Sequence, residues 1–128
     1  MTDKVQTVRA ALQEARSGLD NLLSNEEMLR KVVEAADLMV ASMKQNGKVM
    51  SCGNGGSLCD AMHFAEELSG RFRQDRPAYA AMSLADPSHM SCVANDYGYE
   101  YVFSRFVEGV GRDCLLYTSP SPRDTERS

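Results

Sequence analysis

With 128 residues, the chain is sized for one domain built round a single core. Its 43% hydrophobic and 25% charged residues are those of an ordinary soluble globular protein and exclude a disordered or fibrous one. Lys and Arg number 14 against 18 Asp and Glu, and the formal charge of -4 excludes the electrostatic footprint of a nucleic-acid binder.

Cysteines stand at 52, 59, 92 and 114, with no CxxC pair and no short disulfide framework. Thiols scattered in this way fit a reducing cytosol. The opening Met-Thr-Asp-Lys-Val-Gln lacks the basic-then-apolar order of a signal peptide, and no apolar run approaches the length of a membrane span. The expectation is a cytoplasmic protein without membrane or nucleic-acid partners.

Val5, Val8, Leu12, Ala15, Leu19, Leu22 and Leu23 recur at steps of three and four, which predicts an amphipathic helix over 4–23. Ser24-Asn25-Glu26-Glu27 reads as a stop and restart, with Ser24 and Glu27 forming a capping box. Met28, Leu29, Val32, Val33, Ala36, Met39, Val40 and Met43 mark a second helix, and Asn46-Gly47 its left-handed exit. The surplus apolar surface of these two helices suits either a helical bundle between subunits or packing on a sheet.

Lys48 to Cys52 is a short apolar strand fit for the middle of a parallel sheet. A glycine-rich turn follows, then a helix whose buried face is expected to be Leu58, Met62, Ala65 and Leu68, ended by Gly70. Arg71 to Pro77 is a polar loop, and Ala78 to Leu84 the next strand. Asp86 caps a short helix with Pro87 in its first position, running to about Ala94. Asn95-Asp96-Tyr97-Gly98 is expected as a loop, and Tyr101, Phe103, Phe106, Val107 and Val110 mark a last helix, closed by Gly111. Strand alternating with helix predicts an α/β fold with a parallel sheet covered on both faces. Leu115-Leu116-Tyr117 has the makings of a third strand. Beyond it, Thr118 to Ser128 shows no apolar period and contains Pro120 and Pro122, so 114–128 reads as a non-native, disordered tail.

The chemistry centres on Gly53-Asn54-Gly55-Gly56-Ser57. It matches neither the P-loop nor the dinucleotide fingerprint, yet glycines admit close approach of a ligand and the helix after them offers free N–H groups. A tight strand-to-helix turn without a ligand is the competing reading. His63 and Glu67, four apart on a helix, share one face and can bind one Zn²⁺ or simply pair as a surface ion pair. Cys59 and Asp60 lie near the same stripe, Asp60 at hydrogen-bonding range of His63, whereas Glu66 is expected to point away into solvent. Arg71, Arg73 and Arg76 either meet a phosphate or are merely exposed; Asn95 and Asp96 either hold sugar hydroxyls or only cap and turn. His89 is expected to be packed, and Phe103 and Phe106 to be core.

Ser51-Cys52-Gly53-Asn54-Gly55-Gly56-Ser57, followed by Cys59 to Leu68, closely resembles the phosphoheptose isomerases of the sugar isomerase (SIS) fold. The likeness continues through Arg76-Pro77, Ser88-His89, Asn95-Asp96 and Phe103-Ser104-Arg105 to about Gly111-Arg112. It implies a SIS-type doubly wound parallel sheet with flanking helices, truncated and preceded by two long helices, with residues 1–113 as the N-terminal part of the domain. It also implies a bacterial cytoplasmic homotetramer that interconverts sedoheptulose 7-phosphate and D-glycero-D-manno-heptose 7-phosphate for lipopolysaccharide or other surface glycans. By that likeness Asn54, Gly55, Gly56, Ser57, Asn95 and Asp96 hold the sugar phosphate. His63 and Glu67 bind zinc, and Glu67 also acts on the substrate as the catalytic group. The family's second Ser/Thr-rich loop, its late glutamine and its late histidine have no counterpart here, since His63 and His89 are the chain's two histidines. The resemblance therefore implies an incomplete zinc site and an inactive fragment. Non-catalytic SIS relatives, which bind partner proteins in replication initiation or sense sugar phosphates, form the alternative; a carboxylate at Glu67 beside His63 favours the enzyme.

Overall fold

The computed structural model describes residues 3–111 in full and residues 115–118 by their backbone. Met1–Asp37 and Leu38–Ser128 form two compact units.

In the first unit, α1 spans Lys4–Leu23, and the Asp3 side chain caps it by accepting from the Val5 amide at 3.0 Å. Val5, Val8, Leu12 and Leu19 are exposed along it. The capping box expected at Ser24 is replaced by a simple cap one residue later. Ser24 still has helical backbone angles and its hydroxyl donates back to the Asn21 carbonyl, so it closes α1. Asn25 opens α2, Glu26–Lys44, with its side-chain oxygen accepting from the Met28 amide at 3.0 Å. That helix crosses into the second unit and ends as expected, on Asn46 at φ 59. The Asn46 amide returns to the Met43 carbonyl and the Gly47 amide to the Ser42 carbonyl, a Schellman closure.

The second unit is built on a parallel sheet in the order β2-β1-β3. β1 is Val49–Cys52, β2 Ala81–Ser83 and β3 Leu115–Thr118; Val49 is in register with Ala81 on one side and Leu115 on the other. All β1 residues are at most 1% exposed, as a strand covered on both faces must be. Alternation along β1 separates the two faces. Met50 and Cys52 join Leu84 in the core, against Phe103, Phe106 and Val107 of α5, Val102–Val110. On the opposite face, the Ser51 hydroxyl donates to the Ala61 carbonyl of α3, Gly56–Ser69, at 2.7 Å.

This contact corrects the expected buried face of α3. Ala65 is buried as expected and Leu58 and Leu68 are half-buried, but Met62 is 51% exposed and Ala61 is buried instead, because a small side chain lets the helix approach the strand. Helix α4, Pro87–Asp96, starts on Asp86 as expected but runs two residues beyond Ala94, so Asn95 and Asp96 are its last turn rather than a loop. A 3-10 turn, Tyr99–Tyr101, leads into α5. The expected third strand is β3, so residues 115–118, inside the tail expected to be disordered, lie in the sheet. Leu-Leu-Tyr-Thr suits a pleated partner for β1. The rest of the 114–128 segment, and the expected boundary at 113, lie outside the described residues.

Candidate active site

The strand order reverses at β1: the chain leaves it for β2 on one side and later returns to β3 on the other. In open parallel sheets, the crevice at the carboxyl end of such a strand is where ligands bind. Gly53-Asn54-Gly55-Gly56-Ser57 leaves β1 at that point and enters α3.

Two glycines give the loop its shape. A Cβ on Gly53 would lie 2.6 Å from the Ser57 carbonyl carbon and oxygen, so the turn closes only on a bare backbone. Gly55 has φ 56 and ψ -121, a region that L side chains avoid. The loop closes with the Ser57 amide on the Asn54 carbonyl and the Leu58 and Cys59 amides on the Gly55 carbonyl. No side chain caps α3, and among the described residues the Gly55 and Gly56 amides are N–H groups of this turn left to an outside acceptor. Asn54, Gly55 and Gly56 are exposed and Ser57 half-buried.

His63 Nε2 and Glu67 Oε1 are 3.0 Å apart further along α3, with side-chain exposures of 71% and 31%. The Glu66 carboxylate joins them, and one ligand atom from each of the three lies within 4.8 Å of the others. Glu66 therefore does not point away as expected; adjacent glutamates have side chains long enough to converge on one spot. Among the described residues no hydrogen bond links Asp60 or Cys59 to His63; both are exposed. An imidazole nitrogen and two carboxylates at this spacing form a donor set that suits Zn²⁺, one helical turn supplying all of it.

Arg76 is not free to meet a phosphate. Its guanidinium donates to the Leu68 carbonyl at 2.9 Å and to the Glu67 carbonyl, and lies 4.3 Å from the centre of the Tyr79 ring. It thus satisfies orphan carbonyls at the end of α3 and fixes the backbone that carries Glu67. Arg73, at φ 61, lies over Phe72, and Arg71 is exposed.

Asn95 and Asp96 form a small network of their own with Cys92. The Asn95 amide donates to Asp96 Oδ1 at 3.0 Å and the Cys92 thiol to Oδ2 at 3.4 Å. The Asn95 amide first, and the Cys92 thiol second, hold the Asp96 carboxyl below its ordinary range. In return, the hydrogen bond and charge of Asp96 push the Cys92 thiol up. Burial alone raises the Cys52 thiol. Among the described residues no hydrogen bond or ion pair joins Asn95 or Asp96 to Asn54 or to the His63–Glu67 pair.

Two contacts were beyond sequence reasoning. Asn54 Oδ1 accepts from the Tyr99 hydroxyl at 2.6 Å across 45 positions of sequence, and Arg76 reaches back to α3. Only Gly98, at φ 112 before an aromatic run, hinted that the chain turns sharply there. His89 is packed as expected, its Nε2 3.0 Å from the Val102 carbonyl and its ring edge-on to Phe106.

The SIS domain profile matches residues 12–126. The phosphoheptose isomerase of Edwardsiella ictaluri is 58% identical over 116 residues, covering 89% of this chain and 60% of that protein. That of Cytophaga hutchinsonii is 55% identical over 117 residues, with coverages of 90% and 61%. Among solved structures, the phosphoheptose isomerase GmhA of Neisseria gonorrhoeae superposes with a TM-score of 0.74 at 35% identity, over 91% of this chain and 61% of that one. A phosphoheptose isomerase from Francisella tularensis gives 0.80 at 26% identity, with the same coverages. The chain thus spans about three-fifths of the length of these relatives. With a profile match over nearly its whole length and a fold that superposes on theirs, the chain belongs to the SIS-domain family.

Proposed function

We propose that this chain is part of a cytoplasmic ketose–aldose isomerase acting on sedoheptulose 7-phosphate, on the way to heptose-containing surface glycans such as lipopolysaccharide. The observation that carries the reading is the His63–Glu67 pair, 3.0 Å apart, on the helix that begins at the glycine loop. A module that only binds sugar phosphate or a partner protein has no use for a carboxylate so held.

The roles follow from the groups. Asn54, Gly55, Gly56 and Ser57 hold the sugar through backbone N–H and side-chain donors at the uncapped start of α3. Asn95 and the ionised Asp96 contact the sugar hydroxyls. The isomerisation moves a proton from C1 of the ketose to C2 through an enediol, and the Glu67 carboxylate takes that proton and returns it. His63 Nε2 fixes the orientation of the carboxylate by bonding Oε1. Zinc held by His63 and Glu67, with Glu66 beside them, would supply Lewis acidity at the sugar carbonyl.

Gly56 and Glu67 are eleven positions apart on α3, roughly 16 Å along its axis. That exceeds an extended seven-carbon sugar, and a second copy of the chain bringing its loop beside this Glu67 would let one substrate meet both. A homotetramer is the assembly we propose. The exposed Val5, Val8, Leu12 and Leu19 of α1 support it by offering an apolar face to another copy.

The test is a titration of the purified chain with sedoheptulose 7-phosphate, followed by ligand-observed NMR, for wild type and Asn54→Ala. Saturable binding that Asn54→Ala weakens supports the reading; binding indifferent to Asn54, or none, counts against it. Turnover by residues 1–128 alone is expected to be negligible, and robust turnover would show that these residues hold the complete site.

A further inference from the structure

Among the described residues, one side-chain bond ties the loop at Gly53–Ser57 to the segment between α4 and α5, from the Tyr99 hydroxyl to Asn54 Oδ1 at 2.6 Å. The sequence between α4 and α5 serves to deliver that hydroxyl. The amides of Tyr97 and Gly98 both return to the Val93 carbonyl, at 2.9 and 3.2 Å, which ends α4. Gly98 then takes φ 112, where a Cβ would sit 2.7 Å from the Glu100 carboxylate, and the 3-10 turn starts at Tyr99. Val102, 1% exposed, pins the other end of this turn, and its carbonyl is engaged by His89. Tyr99 therefore stands on a fixed base, whereas Asn54 sits in an exposed loop between two glycines.

A carboxamide has one acceptor oxygen and two N–H donors, and its terminal torsion is broad and nearly two-fold. Left alone, Asn54 presents either end to a ligand. With one Oδ1 lone pair taken by the phenol and the carboxamide held in that orientation, Nδ2 is the end whose full capacity, two N–H donors, remains. We propose that Tyr99 is a positioning residue that sets the Asn54 carboxamide so that its Nδ2–H groups donate to a hydroxyl or carbonyl oxygen of the bound sugar phosphate. The ligand half of this proposal rests on Asn54 being a sugar-contacting residue. The orientation half rests on the Tyr99 bond alone.

The test uses the whole 128-residue chain, ¹⁵N-labelled, as wild type, Tyr99→Phe, Asn54→Ala and the double variant. Three readouts are taken: the Asn54 side-chain amide signals, the thermal midpoint, and the affinity for sedoheptulose 7-phosphate. Tyr99→Phe is expected to move the Asn54 amide signals, leave the midpoint within error, and weaken the sugar phosphate roughly two- to tenfold. On the Asn54→Ala background the same change is expected to cost nothing further, since the hydroxyl acts only through Asn54. Unmoved Asn54 signals overturn the proposal, as does a loss of affinity of equal size on both backgrounds. A wild-type chain that takes up no sugar phosphate overturns the ligand half together with the functional reading, and the amide signals then decide the orientation half by themselves.

Discussion

Ser51 Oγ and the Ala61 carbonyl oxygen are 2.7 Å apart across the contact between β1 and α3, and Ser51 is wholly buried. A hydroxyl in the most enclosed strand of the sheet is tolerated because a helix carbonyl accepts from it. Ser51→Ala is expected to cost about 1 kcal/mol, the net value of one such bond, since the Ala61 carbonyl keeps its helical partner. Ser51→Leu is expected to cost more, through overpacking against Ala61 and Ala65. Urea midpoints at constant m-value decide between these outcomes.

Arg76 ties the end of α3 to the strand that follows. Losing it strands the Glu67 carbonyl at a partly buried helix end, while the Leu68 carbonyl keeps the Tyr79 amide at 3.0 Å. Arg76→Ala is expected to cost about 2 kcal/mol, and Arg76→Lys to recover little of it, since an ammonium has neither the planar fork nor the stack on Tyr79. Faster hydrogen exchange at the Gly70 amide, which bonds the Glu66 carbonyl at 2.7 Å, is the local reading of that loss.

The three-residue donor set on α3 makes a prediction about metal uptake. Zn²⁺ affinity, measured by competition with a chromophoric chelator, is expected to fall in His63→Ala and Glu67→Gln by more than the roughly tenfold that loss of a supporting partner costs. Glu66→Gln separates a ligand from a bystander: a drop of the same size makes it a third ligand, and a marginal one leaves it outside the site.

Asp96 and Cys92 respond to pH in opposite senses. The Asp96 carboxyl titrates lower in the folded chain than in the unfolded one, so its contribution to stability is present above the ordinary Asp range near pH 4 and is lost as pH falls through the folded value. The Cys92 thiol titrates higher in the folded chain, so its contribution is present at neutral pH and is lost as pH rises through the folded value. Because the thiolate is the reactive form, Asp96→Asn is expected to speed alkylation of Cys92 by iodoacetamide at pH 8. Unchanged kinetics in that variant would break the link between the two groups.

What was legible in the sequence was local. Helix α1 spans the expected 4–23, and Asp86 and Pro87 start α4 as their chemistry dictates, because caps and apolar periods are written within a few residues. The two boundary errors have the same origin. Ser24 and Asn25 can both cap, and the one that does is the one not needed to finish α1. Asn95 and Asp96 are weak helix formers, yet they stay helical, their side chains engaged with each other and with Cys92. The buried face of α3 was misjudged because apolarity pointed to Met62, while closeness to β1 selects for smallness and buries Ala61. Tyr99 was invisible as a site residue, and Arg76 was expected to meet a phosphate or solvent rather than helix carbonyls, for a plainer reason: their partners are set by the path of the backbone between them.

Gly53 and Gly55 are barred from carrying side chains on unrelated grounds. At Gly53 the obstacle is the backbone of Ser57, which no substitution elsewhere can trim; at Gly55 there is open space, and the obstacle is its own dihedral angle. A second-site suppressor works by removing an offending group or adding a compensating one, and here neither remedy is on offer. Selection for regained folding in a reporter fusion of Gly53→Ala or Gly55→Ala should therefore return true revertants at the glycine codon and almost nothing else.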